Sequence, residues 1–176
     1  MSTNSIIAKQ FEDGTIKSIY CHWDGYFEYN GRILNESYGF SFKVDDLIEL
    51  GEISSLGKTL YPSPVVKKYG FDFFGNDEFD KLSKEERYEY TDERSGMLYT
   101  TAYGRDRGEK GVEFVTHASL DDFNEFCKRE EFIGFVYLFK NGEWYAKENG
   151  IFSESTDFRK LSEIMEEIYQ KEEDWF

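Results

Sequence analysis

The start of the chain alternates between apolar and polar positions in two short runs. Residues 5–11 and 16–23 are rich in strand-forming side chains, and Asp13-Gly14 between them supplies the positive φ of a tight turn. The pattern predicts a β-hairpin. Its second strand has one face made of Lys17, Ile19, Cys21 and Trp23 and another made of Ile16, Ser18, Tyr20 and His22. We expect the first face to pack in the core and the second to leave Tyr20 and His22 available.

The periodicity then changes to that of helices. Asn30 is expected to cap a short helix that runs through Ser37, and residues 43–51 carry apolar side chains at helical spacing before a glycine stop. Residues 52–76 contain both prolines and predict an irregular connection, with an extended piece at residues 65–66.

Strand patterns return in the second half of the chain. Residues 97–104 and 111–118 read as strands, and Ser119 with Asp122 three residues later is typical of a helix N-terminus. Asn141-Gly142 predicts a second hairpin, whose first strand is apolar at nearly every position and should be covered on both faces. A final amphipathic helix is expected from Thr156.

This order of elements predicts an α+β fold, in which a mostly antiparallel sheet built from hairpins has helices packed on one side. The length of 176 residues fits a single domain over residues 1–176. Residues 72–93 are strongly polar and acidic, and we expect them to be exposed or mobile.

The charge balance narrows the classes of partner. The chain has 36 acidic and 21 basic residues, a formal net charge of −15, so direct binding to nucleic acid or to an anionic membrane is not expected. Basic proteins and cations are the favoured partners, and solubility alone is the alternative reason for the acidity. Two distant cysteines and the absence of a signal-like or membrane-spanning stretch indicate a cytoplasmic protein.

Acidic side chains concentrate on two predicted helices. Rows of carboxylates can present a field comparable to that of DNA to a nucleic-acid-binding protein. The candidate partner-binding residues are Asp45, Asp46, Glu49, Glu163, Glu166 and Glu167.

Two further blocks carry candidate chemistry. The segment "CHWDGY" and the loop "YGRDRGE" combine aromatic rings with two arginines that could hold a phosphate or carboxylate, although pairing with Asp106 or Glu109 is the favoured alternative. The candidate ligand-binding residues are His22, Trp23, Asp24, Tyr26, Arg105 and Arg107.

Catalysis has less support in the sequence. Adjacent strand residues point to opposite faces, so Cys21 and His22 cannot act as a dyad, and Cys127 is expected to be a buried apolar residue. A metal-assisted hydrolase using His22, Asp24 and His117 is the remaining catalytic hypothesis, but metal-binding spacings are absent. We therefore expect no catalytic residue, no metal and no cofactor.

The blocks "SIYCHWDGY", "NGRILNESY", "LGEISSLG", "YGRDRGE" and "YLFKNGEWY" resemble, in this order, a family of short proteins encoded by tailed phages and prophages. The resemblance covers roughly residues 5–148, and "CHWDGY" and "GRDRGE" are its distinctive parts. Phe27 departs from the family pattern, which has proline there. The resemblance transfers no functional residue. It implies a phage accessory protein that acts in the host cytoplasm, and small acidic phage proteins of this sort often resemble inhibitors of host defence.

The leading hypothesis is therefore a non-enzymatic phage protein that binds and inhibits a host defence or nucleic-acid-handling protein through acidic, aromatic-rich surfaces, in the manner of a DNA mimic. The alternative is a protein that binds or sequesters a nucleotide signal in a pocket near "CHWDGY" and "GRDRG".

Overall fold

One twisted sheet connects the two halves of the chain. The computed structural model describes residues 3–91, 97–150 and 157–175. Within them the strands are β1 (Asn4–Gln10), β2 (Ile16–Cys21), β3 (Ile53–Ser55), β4 (Thr101–Ala102), β5 (Val115–His117), β6 (Ile133–Lys140), β7 (Glu143–Glu148) and β8 (Arg159–Lys160). The helices are α1 (Arg32–Ser37), α2 (Ser41–Glu49), α3 (Pro64–Tyr69), α4 (Asp77–Asp80), α5 (Lys84–Thr91), α6 (Tyr103–Arg107), α7 (Leu120–Arg129) and α8 (Leu161–Glu173).

Two hairpins joined side by side form the centre of the sheet. Its strand order is β4-β3-β2-β1-β6-β7-β8, and β5 shares the outer edge of β2 with β3. Both hairpins are antiparallel, whereas β1 and β6 pair in parallel at the centre. The predicted α+β class with a mostly antiparallel sheet is confirmed.

Both faces of the central strands are buried, because β1 and β6 are apolar at successive positions. Ile7 and Tyr137 lie on one face, under α1, α2 and α8. Ile6 and Val136 lie on the other face, where α7 supplies Phe123. Three helices thus cover one face as predicted, and α7 adds a cover on the opposite face. The expected double burial of β6 is confirmed.

Two local predictions, a helix cap and a hairpin turn, are confirmed. The Ser119 hydroxyl accepts a hydrogen bond from the Asp122 amide at the start of α7. Asn141 and Gly142 both have positive φ, 50° and 79°, between β6 and β7. Because a two-residue turn of this type matches the twist of the strands, it fixes their register.

Other local predictions were wrong. Residues 65–66 are not extended but belong to α3, because Pro64 fits a first helical turn and the Ser63 hydroxyl accepts from the Val66 amide. Thr156, the expected start of the last helix, lies outside the described residues, and the described helix begins at Leu161 after β8. Residues 103–107, expected as a loop, form α6.

The acidic segment contains two short helices, α4 and α5, and its described side chains are mostly exposed. These helices and α3 pack around a separate apolar cluster of Val65, Val66 and Phe79. Mobility of this segment stays a prediction, and residues 92 and 93 lie outside the described part.

The Gly142 turn can be tested separately from packing. A Cβ at Gly142 would meet nothing within 4 Å, so Gly142→Ala should act through its positive φ alone and cost about 1 kcal/mol of unfolding free energy. Gly39→Ala is the matched control, since that position also has open space but lacks a positive φ. Equal urea-denaturation midpoints for the two variants would contradict this account of the turn.

Candidate functional site

The "CHWDGY" block forms an unusual turn at the end of β2. Asp24 adopts a φ of 57°, which is uncommon for a residue other than glycine. A π-helical turn, Phe27–Gly31, follows immediately and leads into α1. Strained φ values and π-helical turns both occur preferentially at functional positions. Two such features within eight residues make this turn the candidate site.

Buried Asn30 holds the turn from inside. Its Nδ2 lies 3.2 Å from the Trp23 carbonyl oxygen, 3.3 Å from the Cys21 sulfur and 3.4 Å from the Ser5 hydroxyl. Its backbone amide donates to the Asp24 carbonyl. Asn30 was expected to cap a helix with its side chain, but no side-chain cap is present at the start of α1. The side-chain amide instead provides a hydrogen bond to the backbone at the point where the chain leaves the sheet.

Gly25 is required by close contact with the start of β1. A Cβ there would lie 2.8 Å from the Thr3 carbonyl oxygen and 2.9 Å from the Ser5 Cβ. The Gly25 amide donates to the same Thr3 oxygen, and the buried Tyr137 hydroxyl donates to the Gly25 carbonyl at 2.6 Å. The glycine thus serves close packing rather than a special φ.

The turn presents several rings on its outer side. The Tyr20 hydroxyl lies 2.7 Å from Nδ1 of His22, and the His22 ring meets Trp23 edge-on at 4.7 Å. Burial, and then the nearby Tyr103, raises the pKa of Tyr20 to about 12, so its hydroxyl stays protonated at neutral pH. Trp23 was predicted to face the core with Cys21, but it is 46% exposed because the chain has left the sheet. Tyr26 reaches Asp24 at 3.5 Å.

The sheet brings the second block next to this turn. Cys21, Ile53 and Ala102 are in register across β2, β3 and β4, so α6 begins two strands away from the end of β2. The sequence could not show this adjacency, because the three positions are separated by loops of unknown path.

The two arginines of α6 are both engaged within the protein. Arg105 donates to the Leu60 and Thr100 carbonyls and to both oxygens of Asp106. Arg107 donates to Glu109 at 2.7 Å and lies over the rings of Phe71 and Tyr103. Pairing with neighbouring acids, the alternative weighed from the sequence, is therefore what the geometry shows for these side chains.

The geometry gives little support to thiol or metal chemistry. Desolvation raises the pKa of Cys21 to about 11 and that of Cys127 to about 12, which disfavours the reactive thiolate. His117 pairs with Ile16 at one end of β2, and His22 follows the other end, roughly 20 Å away along the strand. Within the described ranges, no three His, Cys, Asp or Glu side chains are grouped to hold a metal ion. The proposed set of His22, Asp24 and His117 is therefore not brought together.

His117 has a structural environment instead. It is buried under α7, where its Nε2 lies 2.8 Å from the Ser18 hydroxyl and its ring contacts Phe123 and Phe126. Burial lowers the pKa of this imidazole below its usual value, which favours the neutral ring that packs there.

No family model, curated protein or solved structure matches this chain. No helix in the described ranges is both long and apolar enough to cross a membrane.

The candidate partner-binding acids lie on one side of the molecule. Helices α1, α2 and α8 pack on the same sheet face, so their solvent sides lie on the same side of the molecule. We call these three helices and the π-helical turn the acidic layer. These elements carry ten acidic and three basic residues, whereas α7 on the opposite face carries three acidic and two basic residues. Acids make up about three in ten residues of both sets, and the larger set of 33 residues carries a net charge of −7, against −1 for the ten residues of α7.

Not every acid of this layer is equally available. Asp45 pairs with Lys9 and Glu167 with Arg159, both at 2.5 Å. Asp46, Glu49, Glu163 and Glu166 are exposed to solvent. Sequence alone placed these residues on helices, but it did not show that α2 and α8 share one face.

A cavity of 470 Å³ opens at the other end of the sheet, between the two hairpin tips and the start of α2. Lys9 and Lys140 line it, together with Glu12. The buried Lys9 ammonium is hydrogen-bonded to Ser41 and Asp45. The cavity is thus remote from the "CHWDGY" turn, near which the sequence suggested a pocket.

The turn should depend strongly on the Tyr137 hydroxyl. Tyr137→Phe leaves the buried Gly25 carbonyl without this donor, and we expect a loss of roughly 1–3 kcal/mol of unfolding free energy. Tyr145→Phe removes a hydroxyl that contacts the exposed Glu143 carboxylate, so it should change stability by less than about 0.5 kcal/mol. Thermal melts of both variants check this, and a Tyr137→Phe melt equal to that of the wild type would show that the bond does not hold the turn.

Proposed function

We propose that this chain is a non-enzymatic tailed-phage accessory protein that binds a basic host protein through its acidic layer and thereby inhibits it. The observation that carries this proposal is the net charge of −7 on the acidic layer, ten acids against three bases on elements that cover one face of the sheet. A face with this balance attracts cationic partners and repels anionic ones.

The spacing of charge supports a host target that handles nucleic acid. Helix α8 has 13 residues, about 20 Å of axis, and carries five glutamates. Glu167 and Glu172 are paired with arginines, so the other three supply one carboxylate about every 7 Å. The phosphates of one DNA strand are spaced at about 3.4 Å. A groove built for phosphates therefore meets a row of negative charge on this helix, at about half the density of one DNA strand. Electrostatic complementarity of this kind accelerates association and selects basic partners.

The resemblance to tailed-phage proteins supports the setting of the proposal. A phage protein that acts in the host cytoplasm encounters defence nucleases and other nucleic-acid-binding proteins, whose binding grooves are basic. Competition for such a groove requires affinity but no catalytic group. This agrees with the little support that the geometry of the turn gives to catalysis.

Affinity capture from host lysate tests this function. Immobilised wild-type protein should retain a host protein that is released as salt rises from about 0.1 M to about 1 M, where the screening length falls from about 10 Å to about 3 Å. The variant Asp46→Asn, Glu49→Gln, Glu163→Gln, Glu166→Gln should lose that protein, because the neutralised acids belong to the acidic layer.

A second quadruple variant is the matched control. Replacement of Glu85, Glu89, Glu125 and Glu130 by Gln changes the net charge equally, but on exposed positions outside the layer. It should retain the captured protein. Salt-insensitive capture, or equal losses for the two variants, would contradict the proposed surface.

A nucleotide-binding function is a second candidate, favoured by the in-register strands that bring the "CHWDGY" turn beside α6. Cyclic and adenine nucleotides at 100 times their dissociation constant should then stabilise the protein by about 2.7 kcal/mol in thermal melts. Arg107→Ala should abolish that stabilisation, whereas Arg159→Ala, which removes another exposed ion-paired arginine, should not. Absence of any melting shift with the nucleotide panel would eliminate this candidate.

A further inference from the structure

The acidic layer contains an exposed pair of aromatic rings. Phe40 and Phe42, at the start of α2, are each 68% exposed, and their rings stack at 5.7 Å with an interplanar angle of 23°. Together they leave on the order of 200–300 Å² of apolar surface in water. An exposed aromatic pair of this size contributes little to folding, whereas aromatic residues dominate the energetics of protein interfaces.

The pair is continuous with exposed carboxylates. Phe42, Asp46 and Glu49 are spaced i, i+4 and i+7, so they follow one side of α2. All three are exposed, while the opposite side of the helix buries Val44 and Leu47 in the core. The solvent side of α2 is therefore an aromatic anchor followed by a row of negative charge.

The backbone around this pair is well anchored. The Lys43 ammonium donates to the Ser37 and Lys58 carbonyls, both at 2.6 Å, and lies over the Tyr38 ring. Tyr38 is itself buried, and its hydroxyl donates to the Gly57 carbonyl. These bonds connect the start of α2 to two other segments, so the rings are presented on a preorganised element, which lowers the entropic cost of binding.

Charge selects the occupant of this surface. A second copy of the chain would bring two acidic layers together, and like charges facing each other are strongly disfavoured. The same negative charge opposes nucleic acid and anionic lipid. A protein that offers an apolar cleft bordered by lysines or arginines matches both the rings and the carboxylates.

We infer that Phe40 and Phe42 are the anchor by which the acidic layer docks into an apolar cleft with a basic rim on its partner protein. This inference rests on the proposed function and deepens it, because it separates an apolar contact from the electrostatic one. Asp46 and Glu49 then supply the charged border of the same contact.

Two synthetic peptides separate these contributions. One is an amphipathic helix of Lys and Leu, and the other has the same length and lysines but Ser in place of every Leu. The wild-type protein should bind the Lys/Leu peptide at least about tenfold more tightly by fluorescence anisotropy. Phe40→Ser with Phe42→Ser should remove that preference. Asp46→Asn with Glu49→Gln should weaken the binding of both peptides.

Phe132→Ser is the matched control, because Phe132 is 89% exposed but precedes β6, away from α2. It should leave both affinities unchanged. Amide chemical shifts of the wild-type protein provide a readout that needs no variant. The Lys/Leu peptide should change the amide chemical shifts of residues 40–49 more than the Lys/Ser peptide does.

The outcomes distinguish the anchor from the proposed function. Salt-dependent binding of both peptides with equal affinity, or no effect of the Phe40 and Phe42 replacements, would overturn the anchor and leave the acidic layer as the docking surface. If the largest changes in amide chemical shift lie outside residues 40–49, the anchor is likewise overturned. If neither peptide binds, the acidic layer does not attract basic partners, and both inferences fall.

Discussion

The parallel pairing of β1 with β6 is the contact on which the rest of this structure depends. It joins a hairpin from the start of the chain to one more than a hundred residues later. Because both strands are apolar on both faces, the pair is stable only between two helical covers, one formed by α1, α2 and α8 and the other by α7. The placement of the helices that cover the two sheet faces therefore follows from this central pair.

The "CHWDGY" turn closes one end of that pair. Its glycine packs against the start of β1, and its carbonyl is held by Tyr137 from β6, so the turn touches both central strands. The positive φ of Asp24 and the π-helical turn are accommodated because Asn30 satisfies the polar groups that they displace. The reactive residue types of this block thus have a structural role, and its outer rings remain exposed or half-buried.

The packing of helices on one sheet face brings acidic segments together that are distant in the chain. Covering one face with α1, α2 and α8 turns the acidic sides of three separate segments into one surface, and the aromatic pair at Phe40 and Phe42 lies within it. In the proposed complex, long-range electrostatics would bring the cationic partner to this surface, and desolvation of the rings would contribute to the lifetime of the complex. The two contributions act on different steps of binding.

The sequence was enough to predict many local elements, because turn and cap signals act over a few residues. It located the Asn141-Gly142 hairpin, the Ser119 cap and the doubly buried β6 correctly, and it identified the α+β class. The predictions for residues 65–66 and for Asn30 were wrong. A proline can begin a helix as well as interrupt one, and an asparagine side chain can bond to groups other than a helix end. Only the tertiary structure decided which helices share a face, that Arg105 is bound within the protein, and that His22 and His117 lie far apart. Those facts depend on strand order, which is set by contacts between residues distant in the chain.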